Sequence, residues 1–190
     1  MVANKTSKKR QDIVDTAMRL FNQYGYVSVG VDRIIAESGV AKMTFYKFFP
    51  SKDDLIKETL ITRDQLIREC INKALSQASK KEQTTTPHVD ALFNWYDNWL
   101  NSDNFYGCMF IKAIDEFNDN QELNKIIREH KDWLNRKIYE VLEKDNAKAS
   151  DNLAAQIGFL LDGAIINKSI CKDSDAIHNS HSLVHQIIST

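Results

Sequence analysis

Apolar side chains recur along this chain at steps of three and four residues, the spacing that keeps one face of an α-helix turned to a core. Ile13, Val14, Ala17, Leu20, Phe21 and Tyr24 make the first such stripe, and Gly25 follows it as a left-handed stop. The pattern predicts a helix over 7–24. Two short helices come next, from Val31 to Glu37 and from about Ala41 to just before Pro50, separated by the tight corner Ser38, Gly39, Val40. Ser51 with Asp54 then reads as a capping box that opens a long helix to residue 76, with Leu55, Ile56, Leu60, Leu66, Ile67, Cys70, Ile71, Ala74 and Leu75 along its inner side. A polar stretch rich in Lys, Gln and Thr from Ser76 to Pro87 reads as a loop. Beyond it the periodicity predicts helices over 88–101, 107–117, 120–144, 151–170 and 174–188. Residues 153–166 are apolar nearly all round, so this helix must be covered on two sides, one by its own core and the other by a second subunit.

The expected fold class is therefore all-α, with an N-terminal three-helix helix-turn-helix domain over 1–50 and a helical ligand-binding and dimerisation domain over 51–190. Composition agrees with it: 190 residues contain only two Pro and six Gly. No secretory signal or membrane span is expected, and three widely spaced cysteines, Cys70, Cys108 and Cys171, suit a reducing compartment without structural disulfides. The expected location is the cytoplasm, with no membrane partner.

Charge changes the picture more than composition does. Residues 1–52 hold nine Lys or Arg against four acids, a balance of +5, which leaves −6 for the rest of a chain whose formal net charge is −1. A basic head on an acidic body suits a protein whose one end faces a polyanion. The third helix presents Lys42, Met43, Thr44, Tyr46 and Lys47 within two turns, while Ile34, Ile35, Val40, Phe45 and Phe49 supply the packing side. Lysines can reach guanine acceptors or phosphate, Thr44 and Tyr46 can bond phosphate oxygens, and Met43 can pack on a thymine methyl. On residue types alone, a solvated Lys-bearing surface helix would look the same. Lys8, Lys9 and Arg10 are read as lying in the first turn of the first helix, where the helix dipole disfavours cations. Phosphate contact would explain them; stability would not. Arg33 and Lys52 complete the basic set.

The residues Phe21, Gly25, Tyr26, Val31 and Ile34, followed by the run from Gly39 to Lys52 and Leu55, resemble the DNA-binding domain of the TetR family of transcriptional regulators. The resemblance covers residues 10–56. It implies an all-α homodimer that binds a double-stranded DNA operator, with recognition-helix contacts at Lys42, Met43, Thr44, Tyr46 and Lys47 and a phosphate contact at Lys52. Ala41, Met43 and Phe48 depart from the family's usual Ser, Gly and His, which bears on the operator sequence. A looser likeness to a subset of the family runs through Gly107 to Ile111, Glu116, Phe117 and Leu161 to Ala164.

Large rings concentrate in the last two-thirds of the chain, where core packing and ligand contact compete as explanations. The candidate effector site is Leu66, Cys70, Trp95, Trp99, Cys108, Ile111, Phe117, Trp133, Phe159 and Asp162, taking a small apolar or aromatic molecule. Asp162 interrupts an apolar helix and is a paired acid, a cap or a ligand anchor. The candidate dimer surface is Ile157, Leu160, Leu161, Ala164, Ile165, Val184 and Ile188. The long helix from Ser51 is read as the one element that leaves the head and enters the body, and so as the lever between ligand and DNA. His178, His181 and His185 can share a helix face, but no acid or Cys completes a set with them at close spacing, and no metal or cofactor is expected. No nucleophile, general base, phosphate loop or carboxylate pair assembles, so no enzymatic activity is expected. The leading reading is a repressor released by a small molecule. Its alternatives are a DNA-bound adaptor controlled by a protein partner, which requires a large exposed apolar patch, and a thiol redox sensor through Cys108, which requires an exposed sulfur.

Overall fold

The computed structural model describes residues 2–78, 84–172 and 174–189, with side chains from Lys8 onward. The described residues form helices only: α1 (Val2–Tyr24), α2 (Val31–Ser38), α3 (Lys42–Phe48), α4 (Lys52–Ser76), α5 (Pro87–Leu100), α6 (Met109–Glu116), α7 (Gln121–Lys144), α8 (Asp151–Ile170) and α9 (Ala176–Ile188). The boundaries follow local chemistry. Gly25 at φ +81° and Gly39 at φ +67° take the left-handed conformation that ends α1 and α2, which an L side chain adopts only with strain. Ser51 Oγ accepts from Asp54 N at 3.1 Å and donates to Asp54 Oδ2 at 2.7 Å, so the carboxylate reaches back to the hydroxyl. Ser150 Oγ caps α8 by accepting from Leu153 N at 3.1 Å. The buried Asp145 carboxylate caps α5 from the end of α7, accepting from His88 N and Val89 N at 2.9 and 2.8 Å.

One boundary differs from the sequence reading. Because α1 begins at Val2, Lys8, Lys9 and Arg10 lie well inside the helix, and the dipole argument for their placement does not apply. The chain forms two compact units, residues 1–65 with 108–128, and residues 66–107 with 129–190. α4 and α7 each run through a boundary, so α6 and the first turns of α7 belong with the head.

In the first unit Ile13, Val14, Ala17, Leu20, Phe21, Ile34, Phe45, Leu55 and Ile56 are buried, with Phe45 carrying α3 onto α1 and α2. Burying a Phe of this kind contributes roughly 2–3 kcal/mol. In the second unit α8 packs on α9 and both meet α5. Leu92, Phe93, Leu134, Ile138, Ile157, Leu161, Ala164, Ile165, Ile177 and Val184 fill that core. α8 has the length and mean hydropathy of a membrane span, yet its inner face is core and its midpoint holds Asp162, ion-paired with Lys131 of α7.

Candidate nucleic-acid interface

α2 and α3 stand on either side of Gly39, and the buried Phe45 fixes which side of α3 faces outward. Outward lie Met43, 87% exposed, with Lys42, Tyr46 and Lys47; Thr44 is half-buried. Tyr46 leans edge-on against Phe45, ring centroids 5.3 Å apart, which holds its hydroxyl end toward solvent. Lys42 Nζ donates to Asp32 Oδ1 at 3.1 Å across the corner, and this pair holds the lysine above its ordinary pKa. Both partners are exposed, so the ion pair is weak and exchangeable for phosphate.

The other basic candidates divide into two sets. Lys8 and Lys9 are exposed on α1. Arg10 pairs with Glu58 at 2.8 Å and lies over the Phe49 ring at 5.1 Å, which ties α1 to α4 and to the end of α3. Arg33 pairs with Glu37 at 2.8 Å and covers the Tyr24 ring at 4.2 Å. Arg19 reaches the same Glu37 at 2.6 Å, and hydrogen bonds from Arg19 and Arg33 hold that carboxyl below the usual range. Arg10 and Arg33 thus carry structural duties that their residue types did not reveal. Lys52 is half-buried with Nζ 3.5 Å from Val27 O, and burial lowers its pKa.

Glu116, outside the expected site, fastens α6 to the head. Its carboxylate accepts from Tyr26 N at 3.1 Å and from Val27 N at 2.5 Å, just past the end of α1. A Cβ on Gly25 would sit 2.9 Å from Glu116 Oε1, so the glycine also leaves room for this contact. Lys112 Nζ donates to Asn22 O at 2.6 Å, and the buried Tyr26 hydroxyl donates to Met109 O at 3.0 Å. Burial lowers the Lys112 pKa and raises that of Tyr26. α4 is therefore joined by α6 as an element bound to the head. The partners stand about 90 residues apart, and no local pattern announces them.

The effector candidates fall in both compact units. Cys108, Ile111 and Phe117 belong to the first unit; Leu66, Cys70, Trp95, Trp99, Trp133, Phe159 and Asp162 belong to the second. Within the second, Trp95 and Trp99 stack at 5.9 Å, and Phe105 meets Trp99 edge-on at 5.3 Å. Trp133 lies under the Arg68 guanidinium at 4.9 Å. Leu66 and Cys70 are exposed, and Phe159 is 71% exposed on the outer stripe of α8. Asp162 is the paired acid among its three readings. A groove of about 370 Å³ between α7 and α8 is lined by Asn135, Arg136, Tyr139, Glu140, Asp151 and Ala154, none of them an effector candidate. Cys108 is 8% exposed, against the exposed sulfur that the redox reading requires.

The dimer candidates lie mostly on the inward faces of α8 and α9. Ile157, Leu161, Ala164, Ile165 and Val184 are buried in the chain's own core, and Leu160 and Ile188 are half-buried. The apolar residues left outward on α8 and α9 are Phe159, Ile166, Ile170, Leu183 and Ile187. A helix apolar all round gives no periodic signal of which side faces in.

A corner-joined helix pair with a solvent-facing basic second helix, on an all-helical body, defines a helix-turn-helix DNA-binding transcriptional regulator. Residues 13–59 match the family model described as bacterial regulatory proteins, tetR family. The chain is 23% identical over 184 residues to the transcriptional regulator BetI of Brucella canis, covering 95% of this chain and 89% of that one. It is 29% identical over 90 residues to the regulator YxaF of Bacillus subtilis, a match that spans 47% of each chain. A TetR-family regulator from Streptomyces coelicolor superposes with a TM-score of 0.85 at 26% identity, over 96% of this chain and 95% of that one. A TetR regulator from Chloroflexus aurantiacus gives 0.83 at 20%, over 98% and 97%. Over residues 13–59 the chain is thus similar to the tetR family of bacterial regulatory proteins, and over nearly its whole length it shares the fold of TetR-family regulators.

Proposed function

We propose that this chain is a cytoplasmic repressor that binds duplex DNA as a homodimer through α2 and α3 and leaves it when a small apolar or aromatic molecule binds the body. The outward face of α3 carries the reading: Met43, Tyr46 and Lys47 project from a helix whose other side is anchored by Phe45, so they form a pre-ordered surface of groove-entering dimensions. Lys8, Lys9, Lys42, Thr44 and Lys52 supply the surrounding phosphate donors in this reading.

The second subunit covers the outward stripe of Phe159, Ile166 and Ile170 on α8 with Leu183 and Ile187 on α9. Contiguous exposed apolar side chains on two packed helices suit a self-complementary two-fold contact. The half-exposed rings of Trp95, Trp99 and Phe105 supply the effector's apolar wall. Release requires the effector to favour one arrangement of the two heads over the other, because equal affinity shifts nothing. Since Glu116 and Lys112 bind α6 to the end of α1, displacing α6 displaces the head's first corner. The decisive test is a thermal-shift screen of a chemical library, with hits titrated into the protein–DNA complex. A hit that raises Tm and weakens DNA binding is expected. Hits that bind the body and leave DNA affinity unchanged would contradict ligand release.

A further inference from the structure

The second unit holds a cluster that the DNA-binding reading does not use. Asp90 in the first turn of α5 meets His181 and His185, which stand four residues apart on one face of α9. Asp90 Oδ1 lies 2.9 Å from His181 Nε2 and 2.8 Å from His185 Nε2, and the two Nε2 atoms are 3.0 Å apart. Hydrogen bonding cannot satisfy this triangle. A carboxylate oxygen brings no proton and each neutral Nε2 brings at most one, which points in a single direction. With both imidazoles donating to Asp90, their two N–H groups oppose each other at 3.0 Å. With one donating to the other, an Nε2 lone pair faces the carboxylate. One contact of the three is repulsive in either arrangement, and a cation among three lone pairs removes the conflict.

The surroundings hold the donors for that role. Thr86 Oγ1 lies 3.4 Å from His185 Nδ1; a proton on Nδ1 donated there leaves Nε2 as a lone pair. The His181 ring stacks on Phe93, centroids 4.6 Å apart and planes 11° from parallel, which fixes its direction. All three side chains are partly exposed, so an ion can reach them. His178 turns aside to Asp97 at 3.5 Å and is no member of the set.

We propose that Asp90, His181 and His185 form a binding site for a divalent transition-metal ion of the zinc class, fastening the start of α5 to α9. Two imidazoles and one carboxylate suit zinc with solvent in the fourth position, and they select against magnesium and calcium, which take oxygen ligands. Donors around tetrahedral zinc stand roughly 3.3 Å apart, so the triangle opens by a few tenths of an ångström on binding. The sequence reading lacked only the acid: Asp90 is 91 residues from His181, and no motif links them.

Zn²⁺ titrated by calorimetry into the chelator-treated full-length protein tests the site, with Co²⁺ as an optical probe and Mg²⁺ as a competitor. One ion per chain is expected, with visible Co²⁺ bands of a four-coordinate nitrogen-containing site and no displacement by Mg²⁺. His181→Gln and His185→Gln should each lower Zn²⁺ affinity about 100-fold or more, Thr86→Val about tenfold, and His178→Gln not at all. Circular dichroism melts establish that each variant is folded, and Thr86→Val carries the test if either ligand variant is not. No uptake by the folded protein overturns the proposal. Equal affinity in the protein and in its folded ligand variants, or in Thr86→Val where it stands in for them, also overturns it.

Discussion

Glu116 accepts two backbone N–H groups at the end of α1, and its removal leaves Tyr26 N without that partner in a part-buried setting. Hydrogen bonds to a charged group are worth roughly 1.5–3 kcal/mol, so Glu116→Ala should lower unfolding free energy by about that amount, read by urea denaturation. Glu37 gives a pH prediction. Its folded pKa lies below the ordinary value through hydrogen bonds from Arg19 and Arg33. Its contribution is therefore present above the unfolded carboxyl pKa of about 4.3 and is lost as pH falls through the lowered folded value. Glu37→Gln should lose less Tm than the parent between about pH 5 and pH 3. An equal loss in both would contradict the assignment. Neither glutamate was legible as a structural residue. Charged side chains carry no period, and what Glu116 does is decided by a chain segment 90 residues away.

At the scale of elements the sequence was far more legible. Helices α4, α5, α7, α8 and α9 fall within two residues of the periodicity reading at both ends, because Ser51, Ser150 and Pro87 mark their starts in residue type alone. α1 begins five residues before the helix read over 7–24, since an apolar stripe reports packing and not helix length. For α3, Lys47→Ala should weaken DNA binding and relax base preference, whereas Tyr46→Phe should weaken binding to all sequences alike. Losing one phosphate contact lowers the salt slope by about 0.9. Asp32 competes with phosphate for Lys42. Asp32→Asn should accordingly tighten DNA binding by about two- to fivefold at low salt, measured by fluorescence anisotropy, and less as salt rises. No gain would mean that Lys42 stays away from the DNA.

For the whole molecule, the all-round apolar pattern of α8 raised the expectation of cover on two sides without marking which stripe faces which. Phe159 and Ile166 now occupy the outward stripe. Phe159→Glu and Ile166→Glu should yield monomers in sedimentation, while the fold survives because neither side chain is in the core. A two-fold dimer of such heads binds two half-sites on one face of the duplex, about one helical turn or a little more apart. The most direct measurement of the central claim is selection of duplexes from a random pool by the purified protein, with a Met43→Ala, Tyr46→Ala, Lys47→Ala triple variant in parallel. The account predicts that the protein enriches an inverted repeat with half-sites roughly 34–36 Å apart or somewhat further, and that the folded triple variant enriches none. Failure of the protein to enrich any sequence, or enrichment of the same repeat by the triple variant, would contradict it.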